Sequence, residues 1–132
     1  MSATGEFVPD RVRVYCMLPP KEGLSFEEFS EYWRGPHGEL FKNLPFVQKN
    51  FLKYEQFHFL MPANEELAKK GLFKQPFYGM AIFEAESVEK ILAILDDPGY
   101  QNIICPDEAM VFDRSKMEII VGKSAVFIDR SA

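Results

Sequence analysis

Residues 24–40 read LSFEEFSEYWRGPHGEL. Ser25 followed three residues later by Glu28 is a capping box, in which the serine hydroxyl takes up a free backbone N–H of the first turn and the glutamate reaches back to the cap. Leu24 and Phe29 flank this start as a hydrophobic staple. Phe26, Phe29, Tyr32 and Trp33 then fall at i, i+3, i+6 and i+7, the apolar face of one helix. Gly35-Pro36 is expected to interrupt it, and His37 to Leu44 to resume a helical turn or two through Leu40, Phe41 and Leu44.

Working outward, residues 11–18 (RVRVYCML) alternate Val12, Val14, Cys16 and Leu18 with Arg13, Tyr15 and Met17, a strand that Pro19-Pro20 ends. Residues 1–10 read as a loose arm and 11–128 as the domain. Downstream, residues 47–60 (VQKNFLKYEQFHFL) are expected to be largely extended. Tyr54, Gln56, His58 and Leu60 fall on one face and Lys53, Glu55, Phe57 and Phe59 on the other. Residues 62–71 form a short polar helix or loop insert closed by Gly71. Residues 77–84 (FYGMAIFE) are the third strand, and Ser87 caps a second helix with the stripe Val88, Ile91, Leu92 and Leu95, which Asp96-Asp97-Pro98-Gly99 stops. Residues 100–111 are irregular with short helical turns, and residues 116–128 are a last strand bent near Gly122.

The order β-α-β-β-α-β predicts an α+β, ferredoxin-like domain with a four-stranded antiparallel sheet. Its strands are apolar on both faces: Tyr15 and Met17 lie opposite the valines, and Ile120 opposite Ile119 and Val121. An antiparallel sheet with one wet face is more polar there. The second face therefore needs a cover, and another copy of the same sheet supplies it, giving a homodimer of the α/β-barrel kind.

Composition narrows the function. The 132 residues fit one domain, and a net charge of −5 without a Lys/Arg run argues against nucleic acid. No stretch approaches the roughly 18 apolar residues that cross a bilayer, and residues 1–10 hold no apolar signal region, so a cytoplasmic protein without membrane partners is expected. Cys16 and Cys105 stand alone, without a CxxC or Cys/His cluster, and read as small buried hydrophobes. With no metal constellation and no glycine-rich phosphate loop, neither metal nor cofactor is expected. Thirteen Phe, five Tyr and one Trp supply a core and suit the walls of a pocket for a flat ligand.

The two histidines are the side chains suited to moving protons near neutral pH. His58 shares a strand face with Tyr54 and Gln56 between Phe57 and Phe59, a polar lining in an apolar vault; the alternative is a solvated strand end. His37 after Gly35-Pro36 is placed either to cap helix-terminal carbonyls or to serve a site. Tyr32, Trp33, Tyr15 and Tyr78 are divided between packing and ligand contact. Arg13, on Tyr15's face, is a candidate to hold a substrate carboxylate, with a plain surface role as the alternative. Asp113, Arg114 and Lys116 are expected to be solvated.

The segment 24–40 resembles the EthD family of small dimeric α/β-barrel proteins, whose F-x-x-Y-W helix is followed four residues later by a histidine and then a leucine. Phe29, Tyr32, Trp33, His37 and Leu40 match it. The resemblance covers nearly all of residues 10–128 and implies a place for His37 beside a pocket. Within the family, Lys53-Tyr54-Glu55-Gln56 and the compact length resemble the fungal subgroup assigned as decarboxylases of aromatic polyketide carboxylic acids, such as atrochrysone carboxylic acid. It implies a cofactor-independent lyase with His58 or His37 as the acid, and Tyr54 or another tyrosine bonding the substrate carbonyl. Arg13, Tyr15, Tyr32, Trp33, Gln56 and Tyr78 are the expected substrate contacts. A cofactor-free monooxygenase or cyclase on a phenolic polyketide, and a non-catalytic hydrophobic-ligand-binding accessory protein, are the alternatives.

Overall fold

The strands β1 (Val12–Leu18), β2 (Lys53–His58), β3 (Gly79–Ala85) and β4 (Glu118–Gly122) pair into one sheet in the order β2-β3-β1-β4. The computed structural model describes residues 4–74 and 77–131, so Met1 to Ala3 of the expected arm lie outside it. All pairings are antiparallel, which makes this the ferredoxin-like α+β topology. Alternation along β1 becomes burial: Val12, Val14, Cys16 and Leu18 are buried, and Arg13, Tyr15 and Met17 are half-buried on the other face. Register carries that division across the sheet. Cys16 lies opposite Ala81 and Ile119 on the helix side, whereas Tyr15 lies opposite Ile82 and Ile120 on the open side.

Helices α1 (Phe26–Tyr32), α2 (Gly38–Lys42), α3 (Pro45–Asn50), α4 (Met61–Lys69), α5 (Val88–Asp96) and α6 (Cys105–Glu108) follow in chain order. The capping box forms as read: Glu28 N donates to Ser25 Oγ at 3.1 Å, and Ser25 N to Glu28 Oε1 at 3.0 Å. The expected break at Gly35-Pro36 does not occur. Residues Trp33–His37 form a wide π-type turn that carries the helix on into α2. In a regular α-helix Pro36 would lack its N–H and crowd the carbonyl four residues back; a wider turn relieves both.

Four further expectations are corrected. The segment 47–60 is not largely extended, because Pro45 starts α3 at a position where its missing N–H is harmless, and only Lys53–His58 is strand. Leu60 does not continue the face of Tyr54, Gln56 and His58: the chain turns after His58, leaving Phe59 buried and Leu60 exposed. Residues Tyr100–Ile104 make a second π-type turn leading into α6, in keeping with the short helical turns expected of residues 100–111. The last strand ends at Gly122, and the arm is not loose throughout, for Gly5 N donates to Val126 O and Val8 N to Ser124 O, each at 2.9 Å. The left-handed Gly5 (φ 80°) brings the backbone so close to Phe127 that a Cβ would lie 2.5 Å from its ring.

Helices α1, α2, α3 and α5 pack on one face of the sheet, whereas α4 buries no residue, and its Asn64 borders a cleft with Met17, Phe57 and Met80 of the open face. Phe29 and Trp33 are essentially inaccessible and sit with Phe112 and Val111 against Leu18, Cys16 and Ala81. Trp33 fits because β3 begins with Gly79, where a Cβ would come within 2.5 Å of the indole. Gly79→Ala is therefore expected to destabilise the fold by about 1–3 kcal/mol, the usual cost of overpacking, as read from the urea midpoint. An unchanged midpoint would mean the indole is not wedged against β3.

Candidate active site

Three side chains meet beneath α1 and the turn that follows it. Asp107, in α6, accepts the Tyr32 hydroxyl on Oδ1 at 2.6 Å and lies 2.6 Å from His37 Nδ1 through Oδ2. A carboxylate only accepts here, so His37 Nδ1 carries the proton and Nε2 keeps its lone pair. Nε2 has no partner among the described residues, although the His37 ring is buried between Phe41 and Phe112. Burial lowers the His37 pKa, against the upward pull of Asp107. The hydrogen bond to Asp107 pushes Tyr32 up to about 12, so it remains a donor.

A second network runs along β2. Gln56 Nε2 donates to Trp33 O at 2.8 Å and to the Tyr54 hydroxyl at 2.7 Å. A backbone carbonyl can only accept, which fixes the amide and leaves Oε1 to accept from His58 Nε2 at 2.9 Å. His58 Nδ1 is then the acceptor for Ser30 Oγ at 2.5 Å, and the ring lies 4.6 Å from that of Trp33. Both nitrogens of His58 are engaged. Burial, helped by Arg34, lowers its pKa. Tyr54 is raised to about 12 by burial and spends its oxygen lone pair on Gln56, with its own proton free among the described residues.

A cavity of about 70 Å³ lies between the helix side of β1, β3 and β4 and α5, its following turn and α6. Phe41, Phe51 and Phe83 form its aromatic wall, and Glu108 and Tyr100 its polar corner. Neither histidine lines it. His37 adjoins it through Phe41, with ring centroids 5.8 Å apart, and Tyr54 through the same ring at 4.8 Å.

The structure thus brings Tyr32, His37, Trp33, Tyr54, Gln56 and His58 to the helix side. It separates Arg13 and Tyr15 from them and leaves Tyr78 packed against the core. Arg13 and Tyr15 lie on the open face, where Arg13 sits 5.3 Å over the Tyr15 ring and 3.8 Å from Glu84; strand alternation alone keeps them from the histidines. Tyr78 packs edge-on against Phe26 and Phe29. Arg114, expected to be solvated, instead donates through Nε to Glu108 Oε1 at 3.1 Å and through a terminal nitrogen to the Tyr100 hydroxyl at 2.9 Å. Asp107, Glu108 and Tyr100 were not singled out by the sequence reading. An acid pair inside a helical turn between apolar Ile104 and Val111 was the available signal. Among the described residues no group of three or more His, Cys, Asp or Glu is placed to hold a metal ion, and no helix is long and apolar enough to cross a membrane.

Residues 21–115 match the EthD domain, and the chain belongs to that family. No curated protein matches it by sequence. A dimeric protein of unknown function from Bacteroides fragilis shares the fold with a TM-score of 0.62 at 11% identity, over 90% of this chain and 100% of that one. Hydroxynitrile lyase from Passiflora edulis gives 0.57 at 17%, over 95% and 99%. The cofactor-independent oxygenase SnoaB from Streptomyces nogalater gives 0.51 at 10%, over 93% and 99%. The fold is thus one that both a lyase and an oxygenase use.

Both histidines have native pKa values below the ordinary 6.5. The unfolded chain therefore takes up their protons first as pH falls, and the stability they contribute is full above 6.5 and declines below it. Glu108, raised by burial, works in the opposite sense near its own range. The melting temperature is expected to fall from about pH 7.5 to about pH 5.5, and to fall less in His58→Gln. Identical pH profiles for the two proteins would contradict the neutral His58 assigned above.

Proposed function

We propose that this protein is a cofactor-independent lyase that decarboxylates an aromatic polyketide carboxylic acid, with His37 as the proton carrier. The observation that carries the reading is the His37–Asp107 pair: a buried neutral imidazole, oriented by a carboxylate, with one ring nitrogen uncommitted. Asp107 fixes the tautomer and stabilises the imidazolium when it forms. His58 has no such vacancy and acts as a clasp between α1 and β2.

The chemistry balances without a co-reactant. His37 Nε2 takes the proton of a β-keto carboxylic acid. The carbon–carbon bond breaks, its electron pair passes into an enolate, and carbon dioxide leaves. The imidazolium then returns the proton to carbon. The Tyr54 hydroxyl, whose own proton is uncommitted, is the donor assigned to the enolate oxygen in this reading, and the aromatic wall disfavours a charged carboxylate. Small-molecule pockets usually span about 300–1,000 Å³, so Phe41, Phe51 and Phe83 must swing apart to admit the substrate, and moving Phe41 opens the way to His37.

The open sheet face supports a homodimer. Phe57 and Ile120 are more than half exposed there, beside Met17, Met80 and Ile82, and the similar protein from Bacteroides fragilis is dimeric. Sedimentation at micromolar concentration is expected to give twice 15.2 kDa; a monomer would refute the face-to-face pairing.

Incubated with an aromatic polyketide acid, the protein is expected to release carbon dioxide without consuming oxygen. His37→Gln should lower turnover by about 10²–10⁴-fold, the range for loss of a general acid or base, while His58→Gln lowers the melting temperature and retains most turnover. Oxygen uptake would identify an oxygenase of phenolic substrates, for which a neutral His37 also serves as the base. Tight binding without turnover would identify a ligand-binding protein.

A further inference from the structure

Glu108 has no part in that proton transfer, yet it stands in the wall of an otherwise apolar cavity at 9% exposure. A carboxylate is rarely retained in such a place unless it is paired. Arg114 Nε satisfies one oxygen, Oε1, and the other, Oε2, has no partner among the described residues. Tyr100, which also lines the cavity, accepts from the same guanidinium and keeps its own O–H. Arg114 thus ties together the polar heads of the two polar residues that line the cavity. Every other lining group is a hydrocarbon or a sulfur side chain.

We propose that Glu108 and Tyr100 form a subsite for an aromatic hydroxyl group, which donates to Glu108 Oε2 and accepts from Tyr100. This rests on the reading of the cavity as the substrate site, and it sets the substrate's direction. A phenolic ring enters with its hydroxyl toward α6. A carboxylate cannot occupy the corner, since it would meet Glu108 with no proton to give. It is left for the Phe41 side, where His37 lies. Asp107 and Glu108 are consecutive, so one turn of chain presents one acid to the proton carrier and the next to the ligand.

The test is direct binding of three probes, 2-naphthol, 2-methoxynaphthalene and 2-naphthoate, followed by their fluorescence. The wild type is expected to bind 2-naphthol at least about tenfold more tightly than the other two, since a hydrogen bond to a charged group outweighs what the ether retains. Glu108→Gln keeps the shape and removes the charge; it should bring naphthol and its ether within about threefold by weakening naphthol alone. Ile91→Trp, which fills the cavity, should abolish binding of all three. If wild type binds naphthol and ether alike and Ile91→Trp blocks both, the cavity is a ligand site and the hydroxyl subsite is refuted on its own. If no probe binds, or Ile91→Trp changes nothing, the subsite fails together with the cavity reading beneath it. Should Glu108→Gln not fold, the wild-type comparison decides, because a cavity without an acceptor cannot distinguish a phenol from its methyl ether.

Discussion

One carboxylate, Asp107, takes a hydrogen bond from each of two residues about seventy positions away, Tyr32 and His37, both at 2.6 Å. Those two stand five residues apart, and in a regular α-helix such residues diverge by about 140°. The wide turn over Trp33–His37 reduces that angle and brings both donors to one side. Pro36 is the physical cause of the turn, because it has no N–H for the regular pattern and no room in it. Backbone irregularity and site geometry are therefore one feature. Without the wide turn, Asp107 would satisfy one partner and leave a buried donor unmet, at a cost of about 1–3 kcal/mol.

The roles of the two histidines follow from counting hydrogen bonds. Each ring has two nitrogens, and each lies among aromatic side chains. His58 has both nitrogens bonded, to Ser30 and to Gln56, and Gln56 is itself fixed by the carbonyl of Trp33. A proton leaving or entering that ring would break a chain of bonds that joins α1 to β2. His37 has one nitrogen bonded, to an acid, and protonation of the other breaks no hydrogen bond. On the proposed reading, the same residue type is thus a structural clasp at one position and a proton carrier at the other. Neither sheet position nor burial makes the difference; the neighbouring acceptors do.

This explains what was legible in the sequence. The capping box, the alternation of β1 and the stripe of α5 report on local geometry, and each needs only a few adjacent residues. The two-faced strands gave the sheet's sidedness, so the separation of Arg13 from His58 was implicit in the odd and even numbering of their strands; it goes unseen when candidate residues are grouped by chemistry alone. Proline explains two departures: Pro36, expected to interrupt the helix, instead widens it, and Pro45, ahead of the segment expected to be extended, begins a helix. The acidic partner of His37 lies 70 residues away, and no local pattern connects them. Arg114 lies just before the last strand, a position that reads as solvated, yet its long stem lets the guanidinium reach inward to Glu108 while staying partly wet.

The fold constrains the site without choosing the chemistry. The helix layer over the sheet encloses an apolar space, walled here by phenylalanines whose faces suit a flat ligand. Such a wall discriminates weakly, because hydrocarbon contact scales with area and accepts any planar molecule of the right size. Selection has to come from the few polar groups that interrupt it. In this chain those groups are clustered: Asp107 turns toward His37 and Glu108 lines the cavity, each held by a different cationic or donor partner from a different segment. Placing two adjacent acids at the rim of an apolar space is unfavourable in itself, and it is sustained because Tyr32 and His37 neutralise one by hydrogen bonding and Arg114 neutralises the other. If the proposed function holds, reaction and recognition are set by the same short turn, and a relative that kept the sheet and the phenylalanines but changed residues 107 and 108 would keep the pocket and lose the basis for that chemistry.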